Sequence, residues 1–187
     1  MLKRIFLMSI VIQIFFIGQC YASLDRLADV GAEVLRERIV GSTAFRVSEF
    51  RINELTGELK KSNPGVTNYS FYITNDVNNN VVYVAVLVNQ EGYIDSIYLI
   101  SSIKSESQRA FFAKMLEETM RAIGLSSDDI ISLYSNEIRG SVYSGKVYSK
   151  NIHRKVYLSY LAETNGVCTQ VIDRIPLTDR NMMYRAN

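Results

Sequence analysis

Six stretches of the chain have the hydrophobic pattern of β-strands, and they fall into two blocks of three. In the first block, apolar residues either alternate with polar ones or run together, as in strands that are half or fully buried. The second block is rich in β-branched residues and tyrosine, which favour strands. Because the loops of the first block are too short for crossover helices, its strands are predicted to be antiparallel. The six stretches are residues 69–74, 81–88, 93–100, 142–150, 155–163 and 167–175.

Asn165-Gly166 is the strongest turn signal of the chain. Both residue types accept the positive φ that a type I′ turn requires, so the pair predicts a two-residue hairpin between the last two strands. That hairpin sets the register of the two strands: Thr164 faces Val167, and Glu163 faces Cys168.

Apolar residues at helical spacing predict an N-terminal helix, a second one further on and a central helix pair. Ser105 and Gln108 form a capping box at the start of the first central helix, and Gly124 is expected to end it in a left-handed conformation. Ser126 begins the second central helix. The predicted helices cover residues 23–39, 48–61, 105–123 and 126–139, and residues 43–47 favour a short strand.

Together these elements predict a single α+β domain over residues 23–187. The expected architecture is an antiparallel sheet, or two abutting sheets, of about six strands, with the N-terminal helix and the central helix pair packed on one face. A chain of this length buries one core comfortably but is short for two.

The first 22 residues have the layout of a secretory signal peptide. Lys3 and Arg4 precede an apolar run over residues 5–17, and Ala22 offers a small residue before a cleavage site at Ser23. The apolar run is shorter than the roughly 20 residues that a membrane span needs, so no transmembrane anchor is expected after cleavage. The leader predicts a periplasmic or secreted protein.

Charge excludes one large class of partners. The full chain has 21 Lys and Arg against 19 Asp and Glu, and removal of Lys3 and Arg4 with the leader leaves 19 of each, a formal net charge of zero. Nucleic-acid binding depends on many Lys and Arg contacts to phosphates, so nucleic acid is not a predicted partner. A near-neutral protein associates more readily than a charged one, so weak self-association is expected.

Cysteine and histidine are too sparse to predict nucleophilic or metal chemistry. Loss of Cys20 with the leader leaves Cys168 alone, and the chain has a single histidine, His153. Cys168 is expected to be a small buried strand residue, with an intermolecular bridge or a reactive thiol as alternatives. The hairpin register places His153 about 33 Å along the strand from the position facing Cys168, too far for a catalytic pair. No metal site and no cofactor are predicted, because zinc needs three or four converging ligands.

Tyrosine is the one unusual enrichment, with 12 in the chain and no tryptophan. Tyrosine suits a half-buried strand surface, but it also supplies rigid contact area with a polar tip and is enriched in interfaces. Four tyrosines crowd the last three strands and are the candidate binding residues: Tyr143, Tyr148, Tyr157 and Tyr160. Because Tyr157 and Tyr160 are three positions apart on one strand, they are predicted to point to opposite faces.

The sequence favours a small exported, non-catalytic binding protein that acts on another protein. Its form would be an inhibitor, an immunity-type neutraliser or an accessory subunit of an envelope assembly. The first alternative is an exported hydrolase whose carboxylates converge only in the fold, drawn for example from Glu49, Glu54, Asp95 and Glu163. The second alternative is a carrier of a small ligand, which would enclose an apolar cavity between sheet and helices.

Overall fold

The computed structural model describes residues 26–54, 65–135, 144–164 and 166–175. These residues form an α+β fold with eight strands and three helices, and every strand pair among them is antiparallel. The strands are β1 Arg46–Val47, β2 Arg51–Asn53, β3 Thr67–Asn75, β4 Asn80–Val88, β5 Ile94–Ser102, β6 Ser144–Ser149, β7 Arg154–Thr164 and β8 Val167–Asp173. The helices are α1 Ala32–Ser42, α2 Glu106–Ala122 and α3 Ser127–Ser135.

All eight strands belong to one sheet. Its order is β1-β3-β4-β5-β8-β7-β6, and β2 also pairs with β3 beyond the end of β1. The two predicted blocks are joined where β5 pairs with β8, from Ser96 opposite Asp173 to Ser102 opposite Val167. The sheet is therefore continuous, and β6 is the strand at its far end.

The main core lies on one face of this sheet, where all three helices contribute side chains. From the helices come Leu35, Met115 and Leu133, all at most 1% exposed. From the sheet come alternate residues of β3, β4, β5, β7 and β8, as the period of a strand requires. A smaller cluster of buried residues occupies the opposite face, and its members are Ala85, Leu87, Tyr98 and Val171.

Local signals account for the ends of α2. The Ser105 hydroxyl accepts from the Gln108 N–H at 3.2 Å, and the Gln108 side chain accepts from the Ser105 N–H at 3.0 Å, which confirms the capping box. Gly124 follows the helix with φ +100°, as predicted for a left-handed helix end.

The predicted start of the N-terminal helix is wrong. The helix begins at Ala32, with Gly31 as its N-cap, and Ala28 forms an isolated antiparallel bridge with Ile94. The N–H of Leu27 donates to the Ile94 carbonyl at 2.7 Å, and the N–H of Ile94 donates to the Val30 carbonyl at 3.2 Å. Residues 26–31 do not form a helix, because the backbone of Leu27, Ala28 and Val30 is paired with the start of β5.

The helix predicted over 48–61 is also wrong at its start, because residues 51–53 form β2. Arg51, Ile52 and Asn53 pair with β3, and the Asn53 amide donates to the Ser70 hydroxyl at 2.7 Å. The sheet thus has eight strands where about six were expected, and the additional two are short: β1 lies within the short strand predicted over residues 43–47, whereas β2 was not predicted. The leader, residues 55–61 of this helix, residues 136–139 of the last helix and Tyr143 lie outside the described residues.

Candidate functional site

The hairpin of β6 and β7 presents two of the candidate tyrosines beside two lysines. Lys146 is the register partner of Tyr157, and Tyr148 is the register partner of Lys155. Because side chains alternate along a strand, these four share one face of the sheet. We call Lys146, Tyr148, Lys155 and Tyr157 the hairpin face. It lies on the side of the sheet opposite Val147, which packs against the main core.

Three of the four side chains of the hairpin face are exposed, and the fourth is half-buried. Tyr148 is 56% exposed. Lys146 and Lys155 are exposed as well, and Tyr157 is half-buried. The Lys146 ammonium lies 5.8 Å from the centroid of the Tyr157 ring, a cation–π distance. The face therefore combines rigid aromatic area with positive charge.

The helix α3 packs against the hairpin on the side opposite the hairpin face. Gly145 packs so closely on this helix that a Cβ there would lie 1.8 Å from the Leu133 carbonyl oxygen. The Ser149 hydroxyl donates to the Asp129 carboxylate at 2.7 Å. Burial raises the pKa of Asp129, but hydrogen bonds from Ser149 and Ser126 outweigh it, and the net pKa is lowered. The close approach of Gly145 to α3 and the Ser149–Asp129 hydrogen bond thus anchor the strand that carries Lys146 and Tyr148.

An ion pair joins the start of β7 to the N-terminal segment. Arg154 donates to both oxygens of Asp29, at 2.7 Å and 2.9 Å. The hydrogen bond from Arg154 is the main reason that the pKa of Asp29 is lowered, with the positive charges of Arg154 and Arg26 adding to it against burial. Arg26 also lies 2.7 Å from Asp29. The charge of Arg154 is thus compensated within the protein.

The structure separates the candidate tyrosines as strand geometry requires. Tyr148 and Tyr157 lie on the hairpin face, whereas Tyr160 is half-buried and packs against the main core on the other side. Tyr143 lies outside the described residues. The basic neighbours Lys146 and Lys155 were not singled out from the sequence, because the register between β6 and β7 that places them opposite the tyrosines has no turn signal like that of Asn165-Gly166.

The carboxylates considered for a hydrolase do not form one group among the described side chains. Glu49 is exposed and lies 3.3 Å from the Arg36 guanidinium. Asp95 is buried at the start of β5, where it forms an ion pair with Arg174. Glu54 is exposed after the end of β2, and the side chain of Glu163 lies outside the described ones.

Sequence reasoning missed a second buried carboxylate, Asp173. It lies at the end of β8, is 1% exposed and is the register partner of Ser96, which adjoins Asp95. One of its oxygens accepts from the Ile175 N–H at 3.1 Å. Nothing in the sequence marked it, because an aspartate at the end of a predicted strand resembles an ordinary turn residue.

Cys168 lies on β8 beside the end of β7, and His153 lies just before the start of β7. Cys168 is buried and faces Glu163, as the hairpin register predicted. His153 is exposed in the turn before β7, with a left-handed φ of 53°. Within the described part of the chain, no group of three or more His, Cys, Asp or Glu residues is placed to hold a metal ion.

No protein-family model, curated protein or solved structure matches this chain. In the described ranges, no helix has both the length and the apolar character needed to cross a bilayer.

Proposed function

We propose that this is a small exported, non-catalytic binding protein, periplasmic or secreted, that acts by contact with another protein. It would serve as an inhibitor, an immunity-type neutraliser or an accessory subunit of an envelope assembly. The observation that supports contact is the hairpin face, where Tyr148 is 56% exposed on a strand that α3 anchors. Large aromatic side chains on a rigid support are typical of the residues that dominate binding energy at interfaces.

The main test compares two exposed tyrosines on the same face of the sheet. Tyr148 lies on β6, and Tyr72 lies on β3, five strands away, or roughly 24 Å at the usual strand spacing. Tyr72 is 37% exposed and packs against Tyr83, with ring centroids 5.1 Å apart and ring planes tilted by 56°. Tyr148→Ala is expected to lower the capture of a partner from native envelope or culture extracts at least tenfold. Tyr72→Ala is the matched control and should leave capture unchanged.

A second comparison uses the two tyrosines of β7. Tyr157→Ala should weaken partner capture and leave the fold intact by circular dichroism. Tyr160→Ala should lower the melting temperature, since Tyr160 packs on the main core. Equal capture by the wild-type protein and by both hairpin-face variants, Tyr148→Ala and Tyr157→Ala, would contradict the proposed contact.

A further inference from the structure

The positive charge of the hairpin region is concentrated and only partly compensated. Residues 144–160 contain Lys146, Lys150, Arg154 and Lys155 and no Asp or Glu. Of these four, Arg154 is bound by Asp29. Among the ion pairs of the described residues, none involves the three lysines. A chain that is formally neutral after loss of its leader therefore has a local patch of positive charge at one end of its sheet.

The register of the hairpin places two of these lysines next to each other. Lys146 and Lys155 are diagonal neighbours on the hairpin face, an arrangement in which the two Cα atoms lie about 7–8 Å apart. Two like charges on neighbouring side chains repel each other, and a carboxylate bound between them would relieve the repulsion. Tyr148 and Tyr157 occupy the other two corners, where their hydroxyls can donate to the same carboxylates.

From this arrangement we infer that the hairpin face binds an acidic segment of the partner protein. The inference rests on the proposed function and specifies the chemistry of the partner. Carboxylates of that segment would pair with Lys146 and Lys155, while its apolar atoms would lie on the rings of Tyr148 and Tyr157. Complementary charge across an interface steers association and selects among partners, so the pairing would supply specificity to a tyrosine contact.

Other occupants fit the face less well. Nucleic acid and anionic membranes are bound by larger sets of basic residues, for membranes about four to eight in a cluster, and this region offers three uncompensated lysines. A second copy of the protein docked face to face would bring like charges together. Lysines on the last strand of a sheet also discourage edge-to-edge aggregation, and the experiment below separates this role from binding.

The test measures binding of fluorescein-labelled 12-residue peptides to the full mature protein by fluorescence anisotropy. In one peptide Glu alternates with Val and Tyr, and in two others Lys or Gln replaces every Glu. The Glu peptide is expected to bind at 20 mM NaCl and to weaken at least fivefold at 300 mM NaCl, because salt screens exposed charge pairs. The Lys and Gln peptides should bind at least tenfold more weakly than the Glu peptide.

Charge reversal locates the binding site. The double variant Lys146→Glu/Lys155→Glu should lose at least tenfold in affinity for the Glu peptide and gain affinity for the Lys peptide. The matched control is Lys104→Glu/Lys114→Glu, which changes the net charge equally at two exposed lysines outside the hairpin. It should behave as the wild type. Glutamate also keeps the edge strand charged. If the lysines served only to protect the edge, replacing them by glutamate would therefore leave peptide binding unchanged.

Several results would overturn the inference. Equal binding of the Glu and Gln peptides, equal losses in the two double variants, or tighter binding of a 20-nucleotide DNA strand or of phosphatidylglycerol vesicles would each do so. The proposed function has its own readout. If Tyr148→Ala lowers partner capture and Lys146→Glu/Lys155→Glu does not, the proposed contact is supported and the acidic partner segment is refuted. If neither change alters capture, both the proposed contact and the acidic segment are refuted.

Discussion

Replacing Gly145 by alanine tests how closely α3 packs on the hairpin. An added Cβ would lie 1.8 Å from the carbonyl oxygen of Leu133 and 2.7 Å from its carbonyl carbon. Ordinary van der Waals contact begins at 3.4 Å, so the added Cβ would be about 1.6 Å too close to the carbonyl oxygen. The obstacle is helix backbone, which has no alternative rotamer. Either α3 or β6 must therefore move, and the Ser149–Asp129 hydrogen bond moves with them.

The expected loss of stability follows from these distances. Overpacking costs about 1–3 kcal/mol, and a backbone obstacle places Gly145→Ala near the upper end. Alanine also restricts the unfolded chain more than glycine does, which offsets about 0.5–1 kcal/mol of the loss of stability. We therefore expect the free energy of unfolding to fall by about 2 kcal/mol, which for a domain of this size lowers the melting temperature by about 4–8 °C.

Urea unfolding followed by far-ultraviolet circular dichroism measures this change. The matched control is Gly41→Ala in α1, where an added Cβ meets nothing within 4 Å. Because alanine favours a helix over glycine by up to about 1 kcal/mol, the control should be neutral or slightly stabilising. If Gly145→Ala were as stable as the wild type, the close packing of α3 on β6 would be refuted, and with it the rigid support of the hairpin face.

The remaining predictions concern other parts of the chain. Because the pKa values of Asp29 and Asp129 are lowered on folding, their stabilisation is present above about pH 4 and is lost as the pH falls through the folded values, so Asp129→Asn should flatten the acid limb of a stability–pH curve. Gly166→Val should cost about 1 kcal/mol or more in thermal unfolding, since Gly166 has φ +75°. Cys168→Ser should cost modest stability, because it places a hydroxyl in an apolar site, and it should leave partner capture unchanged. Mass measurement of the exported protein should show Ser23 as its first residue; a retained leader would overturn the assigned location.

Much of the candidate site could be predicted from local rules. The period of two placed Tyr157 and Tyr160 on opposite faces, and the Asn165-Gly166 turn predicted the Glu163–Cys168 register, which the structure has. The period of two also implies that Lys146 and Tyr148 share a face. What they do not supply is the contact of Gly145 with α3, because a glycine in a strand reads equally as a bulge or as a close approach of another element.

Elements with signals that lie within a few residues could be predicted without the fold. The capping box of Ser105 and Gln108 and the left-handed Gly124 depend on neighbours along the chain, and the strands of both blocks are marked by local alternation and by β-branched and aromatic residues. These signals were sufficient for an α+β fold with antiparallel strands.

The other features depend on contacts between residues distant in sequence. Ala28 is not helical because it forms a bridge with Ile94, which lies 66 positions away along the chain. The strand β2 forms where Ile52 pairs with Tyr69 on β3. The two blocks become one sheet through β5 and β8, whose pairing depends on a contact distant in sequence. Helical spacing over 23–39 did not produce a helix over residues 26–31, because backbone hydrogen bonds to the start of β5 occupy donors and acceptors that a helix would have used.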